Sequence, residues 1–132
     1  MRHASGERVV RTVEELVVYQ KAVAAAQELW LLLDVPAFQR DPDLKAQLNR
    51  ASVRVASDIS EGFEQKTDRH FARYLSDSRG GTREIRTQLG IAARRRYLSS
   101  EDAKRVSNRY EEIGRMLSGL ITRLQLDNWT GR

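Results

Sequence analysis

Arginine is the residue whose type and spacing could do chemistry in this sequence. Residues 66–98 carry nine basic side chains against three acidic ones, which gives this segment a net charge of +6, whereas the whole chain carries +5. Guanidinium groups fork onto phosphate oxygens, and a row of them binds a phosphate backbone by releasing counterions. The segment therefore predicts contact with RNA or DNA without base specificity. The candidate nucleic-acid-binding residues are Arg69, Arg73, Arg79, Arg83, Arg86, Arg94 and Arg95.

The same row of arginines has two other interpretations. Helical bundles often carry basic residues on a solvated face, where an acid such as Asp77, four residues after Arg73, offsets part of the charge. An acidic protein partner would also be attracted to such a surface. The run from Arg94 to Arg96 lies near a predicted helix C-terminus, where the helix dipole favours cations. At least one residue of that run is therefore open to a purely structural role.

Other kinds of site have little support. His3 and His70 are the only histidines and there is no cysteine, so a histidine-based metal site or catalytic triad has too few ligands. No glycine-rich phosphate loop follows a strand. We expect no metal, no cofactor and no enzymatic activity. The chain also has no apolar run long enough for a membrane span and no export signal, so we expect a cytoplasmic protein with no membrane partner.

Three carboxylates on the predicted second and third helices are the one feature that favours an enzyme with a metal ion instead. Asp58, Glu61 and Glu84 could form a cluster, and a hydrolytic enzyme would need that cluster to hold a metal ion. A di-metal bundle normally supplies two Glu-x-x-His pairs, which are missing here. We expect these acids to be paired across the bundle instead, by Arg50, Arg54 or Arg79.

Long helices must position these side chains. Proline occurs only at positions 36 and 42, and Ala, Leu, Arg, Glu and Gln fill the long segments between polar residues. The pattern predicts an all-α fold, an antiparallel up-and-down four-helix bundle that forms a single domain. We expect the bundle to span 12–126, with a flexible N-terminus at 1–11 and a flexible C-terminus at 127–132.

Polar residues mark where the helices begin. Thr12 and Glu15 have the spacing of a capping box at the start of the first helix, which we expect to run to about residue 34. The later helices are predicted to begin after Asp41, Thr67 and Ser99, and to end near residues 65, 96 and 126.

Apolar residues at steps of three and four predict the buried faces. In the third helix the series includes the small polar Ser78 and Thr82, which predict unusually close helix packing beside Gly80 and Gly81. Two glycines inside a helix cost about 2 kcal/mol relative to alanine, so they mark either a kink or a close approach of another backbone. The first helix is less clear, because it has more apolar residues than one partner can cover. Its expected inward positions are Val13, Leu16, Val17, Val23, Ala24 and Trp30 or Leu31.

Several short motifs in helices two and three are similar to a known family. They are Arg50-Ala51, the run Ile59-Ser60-Glu61-Gly62-Phe63, Arg79-Gly80, Glu84-Ile85 and Tyr97-Leu98, with Phe71, Leu75 and Leu89 between them. Over residues 14–125 the chain resembles the four-helix bundle protein family. That family includes the proteins encoded in intervening sequences of bacterial large-subunit ribosomal RNA genes and, more distantly, the accessory variability determinants of diversity-generating retroelements. The chain departs from the family pattern at Arg54, Val55, Asp58, Ser60 and Gly81.

The resemblance implies a non-enzymatic bundle that assembles into a homopentamer and binds nucleic acid through a basic surface. In the retroelement branch it also implies a reverse transcriptase partner, so an alternative function is a protein-interaction module that docks such a partner. Within the shared motifs, Arg50, Glu61, Gly62, Gly80 and Glu84 are expected to be structural.

Overall fold

The computed structural model of the protein describes residues 9–126, which form four long helices. α1 spans Val17–Leu33, α2 spans Pro42–Phe63, α3 spans Asp68–Arg94 and α4 spans Ser100–Gln125. Each helix packs against the next one along the chain, and α4 closes the ring by packing against α1. The described residues contain no strand. The predicted all-α, single-domain four-helix bundle is confirmed.

The two predicted tails fall largely outside the described residues. Residues 1–8, which include His3, and residues 127–132 are not described. Val10, in the predicted N-terminal tail, packs against the core. Within the described part of the chain, every helix is too short or too polar to cross a membrane.

Three of the four predicted helix starts are confirmed in detail. The side chain of Asp41 accepts a hydrogen bond from the amide of Leu44, which satisfies one of the unpaired amides in the first turn of α2. In the same way, Thr67 caps α3 and Ser99 caps α4. These caps fix where α2, α3 and α4 begin.

The predicted capping box at Thr12 is wrong. Residues Val13–Glu15 form a short 3-10 turn, and α1 begins only at Val17, after an extended Leu16. The side chain of Thr12 makes no capping bond, and the carboxylate of Glu15 accepts a hydrogen bond from the amide of Arg11. Val13 and Leu16 are both buried in the core. Burial of these two side chains holds the chain in a turn before the helix, so the predicted capping geometry at Thr12 does not form.

The predicted inward face of α1 is also wrong in part. Val17, Ala24 and Leu31 are exposed, and Trp30 is 38% exposed. The buried face instead consists of Val18, Ala22, Ala25, Ala26, Leu29, Leu32 and Leu33. α1 is apolar on several faces, so hydrophobic periodicity alone does not identify its buried face. The face that is buried is the one with small alanines, which fits closest to the neighbouring helices.

The predicted buried faces of α2, α3 and α4 are confirmed along their whole length. Ser78 donates a hydrogen bond of 2.8 Å to the backbone carbonyl of Val55, and a Cβ on Gly81 would lie 2.8 Å from the Val55 Cγ2 atom. On the other side, a Cβ on Gly114 would lie 3.1 Å from the hydroxyl of Thr82. α3 remains one continuous helix through its glycines. The small residues therefore serve close packing of α3 against both neighbours, as the sequence predicted.

Candidate nucleic-acid interface

Two neighbouring cavities lie along the outside of the seam between α3 and α4, and we call them together the α3–α4 groove. One has a volume of about 540 Å³ and is lined by residues that include Arg69 and Arg73, and the other has a volume of about 250 Å³ and is lined by residues that include Arg83 and Arg86. Arg79 lines both cavities. From Arg69 to Arg86 the groove follows about 26 Å of helix at 1.5 Å per residue. Five of the seven predicted arginines are therefore brought together on one surface.

Three arginines of this groove have no ion-pair partner in the part of the chain that the structure describes. Arg69, Arg73 and Arg83 are exposed, and none of them has an acidic group within ion-pair distance among residues 9–126. Asp77, which the sequence offered as a partner for Arg73, forms no ion pair with it. Asp77 therefore does not offset the charge of Arg73 as expected, whereas the interpretation as a solvated helix face is not tested by these contacts.

Arg79 occupies the middle of the groove and is held in place. Its Nη1 atom donates a hydrogen bond of 3.1 Å to the hydroxyl of Ser118 on α4, and the side chain is partly buried. The sequence suggested that Arg79 pairs with a carboxylate across the bundle. The hydroxyl of Ser118 leaves its full positive charge in the groove, because a neutral acceptor does not cancel it.

The end of the groove at Arg86 contains one acid and one additional base from α4. Glu111 accepts a hydrogen bond of 2.9 Å from Arg115 and one of 3.4 Å from Arg86. Arg115 lines the groove but was not among the predicted site residues. In the sequence, α4 has five basic and four acidic residues and shows no excess like that of α3, so only the position of Arg115 across from Arg83 and Arg86 indicates that it belongs to the candidate site.

The last two predicted arginines lie apart from this groove. Arg94 is exposed at the end of α3 and does not line either cavity. Arg95 forms an ion pair of 2.6 Å with Asp41, and the hydroxyl of Tyr97 donates to the same carboxylate at 3.2 Å. The hydrogen bond from the amide of Leu44 is the largest cause of the lowered pKa of Asp41, and the hydrogen bonds from Arg95 and Tyr97 lower this pKa further. Arg95 therefore ties the start of α2 to the end of α3.

The residues expected to be structural have different surroundings. A Cβ on Gly62 would lie 2.7 Å from the Cβ of Tyr74, so this glycine is required for close packing. Gly80 is exposed and has nothing within 4 Å of such an atom, so the close contact in α3 belongs to Gly81 instead. Glu61 and Arg50 are both exposed on α2.

The three carboxylates of the alternative metal site are not assembled into a ligand cluster, whereas the expected pairing across the bundle is found for Glu84. Glu84 forms an ion pair of 2.8 Å with Arg54, as one of the predicted pairings stated. Asp58 lies instead near Glu61 and Asp77, and partial burial, followed by the charges of Asp77 and Glu61, raises its pKa. Within residues 9–126, no group of three or more potential metal ligands has a suitable arrangement.

The opposite side of the bundle, formed by α1 and its neighbours, has a different surface. Lys21 pairs with Glu112, and Glu28 pairs with both Arg105 and Arg109, so the ionic groups between α1 and α4 neutralise one another. Apolar side chains remain exposed beside them. They are Val17 at 52%, Leu31 at 72%, Trp30 at 38% and, on α2, Val53 at 49%.

The fold and the groove together define a class: a small four-helix bundle with a row of arginines along one helix seam. The model of the 23S rRNA-intervening sequence protein family matches residues 14–119, and this chain belongs to that family. The match covers α1, α2, α3 and most of α4, and it confirms the family resemblance of the sequence motifs. No curated protein matches the chain.

Proposed function

We propose that this protein is a non-enzymatic RNA-binding protein that holds phosphate groups in the α3–α4 groove. The observation that carries the proposal is the row formed by Arg69, Arg73 and Arg83, which have no acidic partner in the described chain and line one groove with Arg79. Unpaired guanidiniums in a row suit a phosphate backbone better than an isolated anion. The family name, which refers to 23S rRNA, favours RNA over DNA as the ligand.

Binding in this groove is independent of base sequence. The groove presents guanidinium and hydroxyl groups along the outside of two packed helices of the bundle. Phosphate contacts fix the position of a nucleic acid but carry no sequence information directly. The protein would then act as an accessory or chaperone-like factor for RNA.

Self-association is the second part of the proposal. Val17, Ala24 and Leu31 are spaced by seven residues on the exposed face of α1, and Trp30 and Val53 extend this apolar surface toward α2. A second copy of the chain would remove these side chains from water. The family resemblance suggests a homopentamer, in which five grooves would hold one RNA with greater avidity than a single groove.

Salt-dependent binding tests the function directly. Nuclease-treated protein is titrated into a fluorescent structured RNA at several salt concentrations, and the anisotropy gives the affinity at each. We expect a steep loss of affinity with salt, and the double variant Arg73→Gln/Arg83→Gln should reduce the log-log slope by about two units. The matched control, Arg40→Gln/Arg123→Gln, removes the same charge from exposed residues outside the groove and should leave the slope nearly unchanged.

A protein-docking function is the alternative, and the exposed apolar surface around Trp30 and Leu31 is the observation that favours it. In that case the partner would be a protein, such as the reverse transcriptase that the resemblance implies. The wild-type protein would then bind no naked RNA even at the lowest salt, and the Arg73→Gln/Arg83→Gln variant would have no binding to lose. That outcome would contradict the RNA-binding proposal.

A further inference from the structure

The two walls of the α3–α4 groove differ in chemistry. The α3 wall carries the five guanidiniums from Arg69 to Arg86, with the carboxylate of Asp68 at one end, whereas the α4 wall has Gly114 and Ser118 in its middle and the apolar Ile121 and Leu124 toward one end. Arg79 reaches across to Ser118 between the two cavities. The groove therefore offers cations along one line, which suits a row of phosphates better than one isolated anion.

None of the described residues that line this groove is aromatic. Proteins that bind single strands usually provide aromatic side chains on which the unstacked bases stack. Tyr74 lines a neighbouring cavity that shares Arg73 with the groove, but it does not line the groove itself, and Trp30 lies near α2 on the other side of the bundle. A duplex keeps its bases stacked inside and presents its phosphates outward, so it needs cations and no aromatic platform.

Glu111 occupies the position where a phosphate would complete the row. Its two carboxylate oxygens accept hydrogen bonds from Arg86 and Arg115, which is the arrangement that two guanidiniums make around a phosphate. Both ion pairs are largely exposed, so exchanging the carboxylate for a phosphate costs little. Glu111 therefore competes with the ligand for these two arginines.

We propose that the groove binds one phosphate strand of an RNA duplex, and that a phosphate of this strand displaces Glu111 from Arg86 and Arg115. The inference rests on the proposed function, because it names the form of RNA that the same site takes. It adds a preference for duplex over single strands, and it assigns Glu111 as a residue that limits affinity.

The test compares a short blunt-ended RNA duplex with each of its two single strands and with the DNA duplex of the same sequence. Fluorescence anisotropy at one fixed salt concentration gives the four affinities. We expect the RNA duplex to bind about tenfold or more tightly than either strand, which corresponds to about 1.4 kcal/mol. The Glu111→Gln variant should bind the RNA duplex about two- to fivefold more tightly than the wild type.

Glu112→Gln is the matched control for Glu111→Gln. It makes the same change of charge at the next residue, but Glu112 pairs with Lys21 on α1 and does not line the groove. We expect it to leave duplex affinity close to that of the wild type. An equal gain in both variants would attribute the effect to net charge and overturn the role of Glu111.

The remaining outcomes separate this inference from the proposed function. Equal or tighter binding of a single strand, still weakened by Arg73→Gln/Arg83→Gln, would overturn the duplex preference and leave the RNA-binding function in place. Tighter binding of the DNA duplex would overturn the choice of RNA duplex. Failure of every nucleic acid to bind would overturn the proposed function and this inference together.

Discussion

α3 and α1 both pack through small residues, but they expose different kinds of side chain to solvent. α3 buries small residues on both sides, with Gly81 against Val55 and Thr82 against Gly114, and it directs its charge outward along the groove. α1 also packs through small residues, its alanines, but its exposed side is apolar and its ionic groups are neutralised by partners on α4.

This difference supports the proposal of different partners for the two surfaces. An unneutralised row of cations attracts a highly charged polymer, whereas an apolar helix face is stabilised by another protein surface. Substitutions on the exposed face of α1, in the packing of α3 and at the Asp41–Arg95 ion pair should therefore have separate effects.

Leu31→Glu should have the largest effect, because it places a charge in the proposed contact between copies. Leu31 is exposed within the protomer, so the fold should remain intact while the assembly dissociates. Native mass spectrometry should show a smaller oligomer or a monomer, with an unchanged far-ultraviolet circular dichroism spectrum. Asn108→Asp, which adds the same charge at an exposed position on α4 outside this apolar face, is the control. A wild-type monomer, or a ring of an order other than five, would refute the proposed pentamer.

Gly62→Ala should have the next largest effect and tests the close packing of α3. The new Cβ would lie 2.7 Å from the Tyr74 Cβ and 2.9 Å from the Phe71 ring, and neither atom is at the end of a flexible chain. Overpacking of this kind costs about 1–3 kcal/mol of unfolding free energy. The change is measured by urea denaturation at one fixed protein concentration.

Gly80→Ala provides the matched control for this packing. Gly80 is exposed inside a helix with nothing near its missing Cβ, so alanine should stabilise the protein by about 1 kcal/mol through helix propensity. The two substitutions should therefore have opposite signs. A destabilising Gly80→Ala, or a neutral Gly62→Ala, would contradict the assignment of close contacts along α3.

Asp41→Asn should have the smallest effect and tests the role of Arg95. Asparagine still caps α2 but removes the ion pair with Arg95. The folded-state pKa of Asp41 is below its unfolded value, so its contribution to stability is complete above about pH 4 and is lost as the pH falls through the folded-state pKa. The difference in melting temperature between wild type and variant should thus be present at neutral pH and shrink in acid. A difference that does not change with pH would contradict this account of Asp41.

Much of the fold follows from the sequence, and the exceptions have physical causes. α2, α3 and α4 have one apolar stripe each, so steps of three and four identify their buried faces, and their caps stand beside the first turns. α1 has apolar residues on several faces, and its start is set by the burial of Val13 and Leu16, which local spacing does not encode.

The arginine content of the candidate site was predictable from the sequence, but the spatial arrangement of its residues was not. The excess of arginine in α3 is visible in the sequence, and five of the seven predicted arginines share the groove. The pairing of Arg95 with Asp41 joins residues far apart in the chain. The position of Arg115 depends on how α4 packs beside α3. The pairing of Arg95 and the position of Arg115 both depend on the tertiary structure, so neither could be predicted from the local sequence.

Protection of single cysteines by RNA tests the central claim most directly, because the chain has no cysteine of its own. Ser76→Cys places a thiol on the groove, and Gln47→Cys places one at an exposed position on α2, outside both the groove and the exposed apolar face of α1. The rate of thiol alkylation is measured for each variant with and without a saturating RNA duplex. We expect RNA to slow alkylation at position 76 and to leave the rate at position 47 unchanged. Slowing at position 47 alone would contradict the assignment of the RNA site to the α3–α4 groove.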